Sequence, residues 1–264
     1  MALKLNATRE VYREFYGRNV GQMPKLIADG RVPMNVAQLM QRRLDVRNSD
    51  ADVKGSYLDN YFDTGDAVAY HPDGRIKIVL DSQTLRGINP ESKLINGALV
   101  LTEDDYNALQ GEELKKEKFG KINESLLRKE VKSHPVWKIL AREQALLDDY
   151  VDYIFAEGKQ RFNYDTTMGI YLISAQGSTP DLRAWCVSRL GLRSDADGRN
   201  LFGDDYGRFL GVAPEALNAK TFGVQNVRKY TMDDLQSFDS AMKGLEVTIK
   251  SELLEPFARL RKKL

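Results

Sequence analysis

The stretch GDAVAYHPDGRIKIVLDS, residues 65–82, constrains the fold of this chain more than any other. Pro72, Asp73 and Gly74 lie together in it. Proline presets φ, aspartate bonds to its own backbone, and glycine accepts positive φ, so the three together make a turn. β-Branched side chains follow at Ile76 and Ile78 and, out of strict alternation, at Val79. The pattern predicts an antiparallel hairpin near 66–81. A third strand is expected at 97–101, GALVL. Thr102 then precedes Glu103, Asp104 and Asp105, the cap and acidic first turn of a helix to about Leu109. The sheet expected from these signals is small and antiparallel.

Elsewhere the spacing favours helices. A short one is expected near 7–16. Residues 24–46, PKLIADGRVPMNVAQLMQRRLDV, read as a helical piece, a Gly/Pro turn and a second helix from about Asn35, with Val36, Leu39, Met40 and Leu44 on its apolar side. Residues 111–125, GEELKKEKFGKINES, offer few core anchors and read as a connector. Beyond it, Ser133 caps a helix with Pro135 in its first turn, running to about Glu157. Ser178, Thr179, Pro180 and Asp181 open another, to about Leu190. From Thr231 a long amphipathic helix carries Leu235, Phe238, Met242, Leu245 and Ile249 at steps of three and four, until Pro256 kinks or ends it. Its apolar stripe fits packing within the monomer or against another chain, which leaves the oligomeric state open. The expected fold class is α+β, mainly helical, with a small antiparallel sheet in an N-terminal part (1–120) and a helical bundle in a C-terminal part (121–264).

Composition narrows function mainly by exclusion. A chain of 264 residues can bury a sizeable core without disulfides or structural metal. Thirty-nine Lys and Arg balance thirty-eight Asp and Glu, so no global field steers the protein to nucleic acid or an anionic membrane. The single cysteine, Cys186, forms no intrachain disulfide and supplies no multi-cysteine metal site. The N-terminus meets charge early, and no apolar run approaches about 18 residues. A cytoplasmic protein, neither exported nor membrane-spanning, is the expectation.

Residues 193–204, RSDADGRNLFGD, are dense in aspartate. Setting Gly198 at the glycine position of a calcium loop puts Arg193 at the first ligand position, Asp195 and Asp197 at the next two and Asp204 last. Arginine is no calcium ligand, and the last aspartate is shorter than the expected glutamate. A polar turn joining two helical segments is the simpler reading. Asp195, Asp197 and Asp204 stay candidate metal ligands only if other groups join them. No cofactor is expected.

Arg42, Arg43 and Arg47 form the basic end of the helix after Asn35 and are candidate nucleic-acid contacts in a helix-turn-helix arrangement. Asp45, Asp50 and Asp52 beside them repel phosphates, and a solvated helix face is the bland alternative. On the 134–157 helix, Val136, Leu140, Leu147, Val151 and Ile154 cluster, and Glu143 falls inside that stripe. A carboxylate there must be paired or have its pKa raised, which makes Glu143 the best single acid/base candidate, with Tyr150 its expected neighbour. His71, His134 and Cys186 belong to separate segments. The HExxH, nucleophile-elbow, phosphate-loop and dinucleotide patterns are absent. Phe162, Tyr164, Tyr171, Trp185, Phe202 and Tyr206 lie among Arg161, Arg183, Arg189 and Arg199, a composition suited to stacking or partner contact, or simply to a core.

These observations favour a binding or interaction protein that contacts nucleic acid or a partner protein through a local basic and aromatic surface. The alternative is a carboxylate-based or divalent-metal-dependent enzyme using Glu143 with Asp195, Asp197 and Asp204.

Overall fold

A computed structural model describes residues 3–6, 10–115 and 118–214. In chain order the elements are β1 (Tyr12–Tyr16), α1 (Asn19–Ala28), β2 (Val32–Pro33), α2 (Val36–Asp45), α3 (Ala51–Leu58), β3 (Phe62–Tyr70) and β4 (Ile76–Val79). Next come α4 (Gln83–Arg86), β5 (Leu94–Ile95), β6 (Ala98–Val100), α5 (Glu103–Ala108) and β7 (Glu112–Leu114). They are followed by α6 (Arg128–Ser133), α7 (Pro135–Ala141), α8 (Gln144–Phe162), β8 (Ile170–Tyr171), β9 (Asp181–Val187), β10 (Ala196–Asp197) and β11 (Arg208–Val212).

The eleven strands among the described residues form one mixed sheet whose main path is β1-β11-β3-β9-β10-β8. β11 runs parallel to β3 and β10 parallel to β8, and the other pairings are antiparallel. The expected hairpin is present: Ala67 to Tyr70 of β3 pair with Val79 to Ile76 of β4. The third strand is present as β6, and Thr102 caps α5 in a capping box with Asp105. Asn35 caps α2 in the same way with Gln38. The mainly helical fold with a small sheet is not what forms, because strands from both sides of residue 120 enter the same sheet.

Three local readings change for physical reasons. Residues 12–16 are strand, not helix, because β1 gains its hydrogen bonds from β11, far away in sequence. Residues 181–187 are strand β9 rather than a helix opened by the Ser-Thr-Pro-Asp run. All seven of these residues are buried, since both faces of the sheet are covered there, and a strand covered on both faces loses the polar alternation that would identify it. The helix expected from Ser133 to Glu157 is broken: α7 ends at Ala141, Arg142 takes φ 66°, Glu143 is extended, and α8 starts at Gln144. The helix expected from Thr231 lies outside the described residues.

Apolar side chains fill both sides of the sheet. One layer joins α2, α3, α7 and α8 to Trp185, Val187, Leu210 and Val212. The other packs Met23 and Leu26 of α1 and Leu85 of α4 against Phe15, Ala67, Ala69, Leu182, Ala184 and Phe209. Each fully buried large side chain contributes roughly 2 kcal/mol, so this two-sided core fixes β3 and β9 as the rigid centre from which the site is built.

Candidate binding surface

At its N-terminal end, β3 carries Asp63, which is 1% exposed. Its carboxylate accepts from the amide of Arg208 at 2.8 Å, from Asn19 Nδ2 at 3.0 Å and from Asn200 Nδ2. One buried group thus gathers the first turn of α1, the loop before β11 and the start of β11. Burial pushes the Asp63 carboxyl up to about 6, against the pull of the Arg208 amide, Asn19 and the Cys186 thiol. Cys186, opposite Asp63 on β9, is buried too, and its thiol is pushed up by that burial and by the neighbouring carboxylate. A thiol held protonated is a poor nucleophile, so Cys186 serves packing and a hydrogen bond.

Above Asp63 the surface is aromatic. The Arg208 guanidinium lies over the Tyr16 ring at 4.9 Å and the Tyr61 ring at 5.0 Å, and contacts Glu14 at 2.8 Å and Asn60. The Tyr61 hydroxyl donates to the carbonyl of Tyr206. Burial raises that phenol to about 12, so it stays protonated and able to donate. At the rim, Tyr16 is 47% and Tyr206 69% exposed, and Arg18 pairs with Asp205 at 2.8 Å. Gly207 lets these pieces approach: a Cβ there would sit 2.0 Å from Asn19 Oδ1 and 2.6 Å from the carbonyl of Gly17.

The residues singled out by sequence are scattered. Glu143 is exposed at the α7–α8 break, because the break turns it out of the apolar stripe it was expected to share. Val136, Leu140, Leu147, Val151 and Ile154 of that stripe are fully buried. Tyr150 bonds Arg43 instead, at 2.7 Å. Asp195 accepts from the Gly169 amide, and burial raises its carboxyl to about 6. Asp197 pairs with Arg199 at 2.8 Å, and Asp204 is exposed in the following loop. Among the described residues no group of three or more His, Cys, Asp or Glu side chains converges as a metal site. Arg193 takes φ 65° and donates to Thr166 at the turn from β9 into β10, so the 193–204 segment holds strand β10 and the start of the loop to β11 rather than a turn between helices.

The three basic residues do not form one surface. Arg43 is 0% exposed and donates to the carbonyls of Tyr57, Asn60 and Ser188. Arg42 stacks over Tyr12 and Tyr57 and bonds the carbonyl of Leu5, and Arg47 is exposed just past α2. The helical bundle falls with this fold, and nucleic-acid binding gains no support from it: of the three arginines, Arg43 packs inward, Arg42 is half-buried over two tyrosines and Arg47 alone is exposed. Of the aromatic series, Trp185 and Phe202 are core, Phe162 and Tyr164 stack on each other, and Tyr206 belongs to the surface above Asp63. Asn19, Asp63, Asn200 and Arg208 went unmarked in the sequence. The one signal near them is the mix of Asp, Asn and Tyr in 59–63, DNYFD, and 203–209, GDDYGRF.

Among the described residues no helix is long and apolar enough to cross a membrane. No family model matches the chain, and no curated protein matches it. Among solved structures, the chain is similar to one that describes the accommodation of massive sequence variation in Nanoarchaeota by the C-type lectin fold. The two share 16% identity with a TM-score of 0.58, over 78% of this chain and 100% of that one. At that identity the likeness speaks for architecture alone: a C-type lectin-like fold built on a large mixed sheet, in place of a helical bundle with a small sheet.

Proposed function

We propose that this protein is a binding module that presents the surface of Tyr16, Tyr61, Tyr206 and Arg208 to a partner protein. The observation that carries this reading is the Arg208 guanidinium placed against two tyrosine rings with exposed tyrosines at its rim. Tyrosine and arginine are enriched in binding hot spots: tyrosine offers a large, amphipathic contact at low entropy cost, and arginine stacks on rings while its guanidinium donates hydrogen bonds. The ring of charges, Glu14, Arg18 and Asp205, carries both signs, which suits a mixed protein surface. The scaffold under this surface is held by buried β3 and Asp63 and does not depend on the exposed rings. That separation is the property expected of a fold that, in its nanoarchaeotal neighbour, accommodates massive sequence variation.

The test is capture of proteins from an extract of the source cells by the full chain and by two variants. Tyr16→Ala with Tyr206→Ala should reduce recovery of a captured protein by about tenfold or more. Leu127→Ala, at another exposed apolar side chain, should leave recovery unchanged. Equal recovery by all three chains would remove the proposal.

A further inference from the structure

β1 ends the main path of the sheet, with β11 on one side and no described strand on the other. Its hydrogen-bond phase is set by two bonds just beyond the strand: Gly17 donates to the Gly207 carbonyl at 2.9 Å, and Ala213 donates to the Val11 carbonyl at 3.0 Å. In an antiparallel ladder bonded and unbonded pairs alternate. Arg13 and Phe15 therefore turn their main-chain groups toward β11, whereas Tyr12, Glu14 and Tyr16 aim theirs at the open edge. At Tyr12 both outward groups are taken by one side chain: Asn6 Oδ1 accepts from the amide at 2.9 Å, and Asn6 Nδ2 donates to the carbonyl at 2.7 Å. Asn6 thus stands in for one residue of a missing strand. The outward main-chain groups of Glu14 and Tyr16 have no such partner among the described residues.

Residues 13–16 line a cleft of ≈ 340 Å³ beside this edge, together with Gln22 and Lys25 of α1 and Asp29. The carboxylates in it are already neutralised. Asp29 is shared by Arg13 at 3.0 Å and Arg31 at 2.8 Å, and Glu14 faces Arg208. Lys25 is exposed and has no acidic partner among the described residues. The cleft therefore combines unpaired strand-edge groups with surplus positive charge on its α1 side.

We propose that this edge accepts an extended acidic peptide from a partner protein, which adds as a strand beside residues 14–16 with its acidic side chains toward Arg13 and Lys25. Strand addition draws affinity from main-chain hydrogen bonds and specificity from alternate side chains. The inference rests on reading the adjoining tyrosine surface as a partner site, of which the edge is the continuation through Tyr16. A second copy of this chain fits less well, because it would bring its own Arg13 and Lys25 against the same positive wall.

The experiment selects a random peptide library displayed on phage against the full chain, then measures the selected peptides by fluorescence anisotropy. Acidic residues are expected at alternate positions. Glu14→Pro removes an amide that points away from β11, so the β1–β11 ladder survives, and affinity should fall about tenfold for the lost bond. Glu14→Ala removes the same side chain but keeps the amide, and should bind about tenfold more tightly than Glu14→Pro. Arg13→Glu with Lys25→Glu should abolish binding. Leu127→Ala should leave peptide affinity intact, and Tyr206→Ala is read in protein capture, so loss of the tyrosine surface and loss of the edge are read separately. Should Glu14→Pro fail to fold, peptides N-methylated at alternate residues must lose affinity for the parent chain. Selected peptides without acidic bias, equal binding to Glu14→Pro and Glu14→Ala, no selected peptide, or a chain that dimerises through this edge in light scattering would each overturn the proposal.

Discussion

Asp63 and Asp66 stand three positions apart on β3, both buried, and they are held in opposite ways. Asp66 accepts from the amides of Val36 at 2.9 Å and Asp81 at 2.8 Å, and is bonded by Arg142 at 2.9 Å. Arg142 also bonds Asp81 at 2.8 Å, and Asn35 bonds Asp81 at 2.9 Å. This cluster ties the start of α2, the turn after β4 and the α7–α8 corner to β3, and it supports the unfavourable φ of Arg142. Asp63 has amide donors and a thiol, while the nearest guanidinium, that of Arg208, is turned up toward the tyrosines. A register shift between Asp63 and Ala67 separates the two. Bulges re-aim side chains, and here the irregular stretch lets one strand send a charge-paired carboxylate into the frame and an amide-held one beneath the candidate surface.

Replacing each carboxylate by its neutral isostere should expose that difference most strongly. Asp66→Asn leaves Arg142 without its buried counter-charge, and should cost about 3 kcal/mol. Asp63→Asn removes a charge that burial disfavours at neutral pH, which offsets the loss of one acceptor for Asn200, so the variant should be at least as stable as the parent there. Urea unfolding of the two variants measures both. Equal costs would show that the two sites are not held differently.

Acid titration sharpens the same contrast. The folded-state value of Asp63, about 6, lies above its ordinary 3.8, so between those values the folded chain holds a proton that the unfolded chain has released. Stability is therefore full below about pH 4 and falls as pH rises through about 6, by up to about 3 kcal/mol for this one group. Asp195, also raised to about 6 by burial, and Asp66, raised by burial against the pull of Arg142, act with the same sign. Asp63→Asn should flatten part of this slope and Asp195→Asn much of the remainder, as read from urea midpoints between pH 4.5 and 7. A slope unchanged by Asp63→Asn would mean that Asp195 and Asp66, whose carboxyls burial also raises, carry it instead.

How much of this was legible in sequence depended on whether the signal was local. Pro72, Asp73 and Gly74 announced the β3–β4 hairpin, and Thr102 and Asp105 the cap of α5, because turn and cap chemistry act over a few residues. The strand nature of β9 was hidden by its burial on both faces, which removed polar alternation from Asp181 to Val187. Arg43 shows a signal that was present and outweighed. Val36, Leu39, Met40, Arg43 and Leu44 keep one helical stripe at steps of three and four, and all five are buried. Charge argued for the surface, but the spacing agreed with the structure. Glu143 failed the other way: its spacing was helical, and the break at Arg142 depends on Asp66 and Asp81, more than sixty positions earlier. No local pattern could have joined Asn19, Asp63, Asn200 and Arg208, since they come from four separate segments.

Two glycines near Asn19 in space or sequence show whether the Asp63 end is as closely built as its hydrogen bonds imply. Gly207→Ala places a methyl group against Asn19 Oδ1 and the backbone of Gly17, and a carbonyl cannot rotate away as a side chain does. The strand must shift, at about 1–3 kcal/mol, and the displaced Asn19 loosens from Asp63. Gly21, in the first turn of α1, has nothing within 4 Å of its would-be Cβ and no positive φ. Gly21→Ala should stabilise the chain by about 0.5–1 kcal/mol, because alanine loses less backbone entropy in a helix. Urea midpoints that move in opposite directions would mark the Gly207 side of Asn19 as close-packed and the Gly21 side as open. If Gly207→Ala were as mild as Gly21→Ala, the contacts gathered by Asp63 would be loose enough to absorb a methyl group, and the rigidity assigned to the tyrosine surface would have to come from β3 and β11 alone.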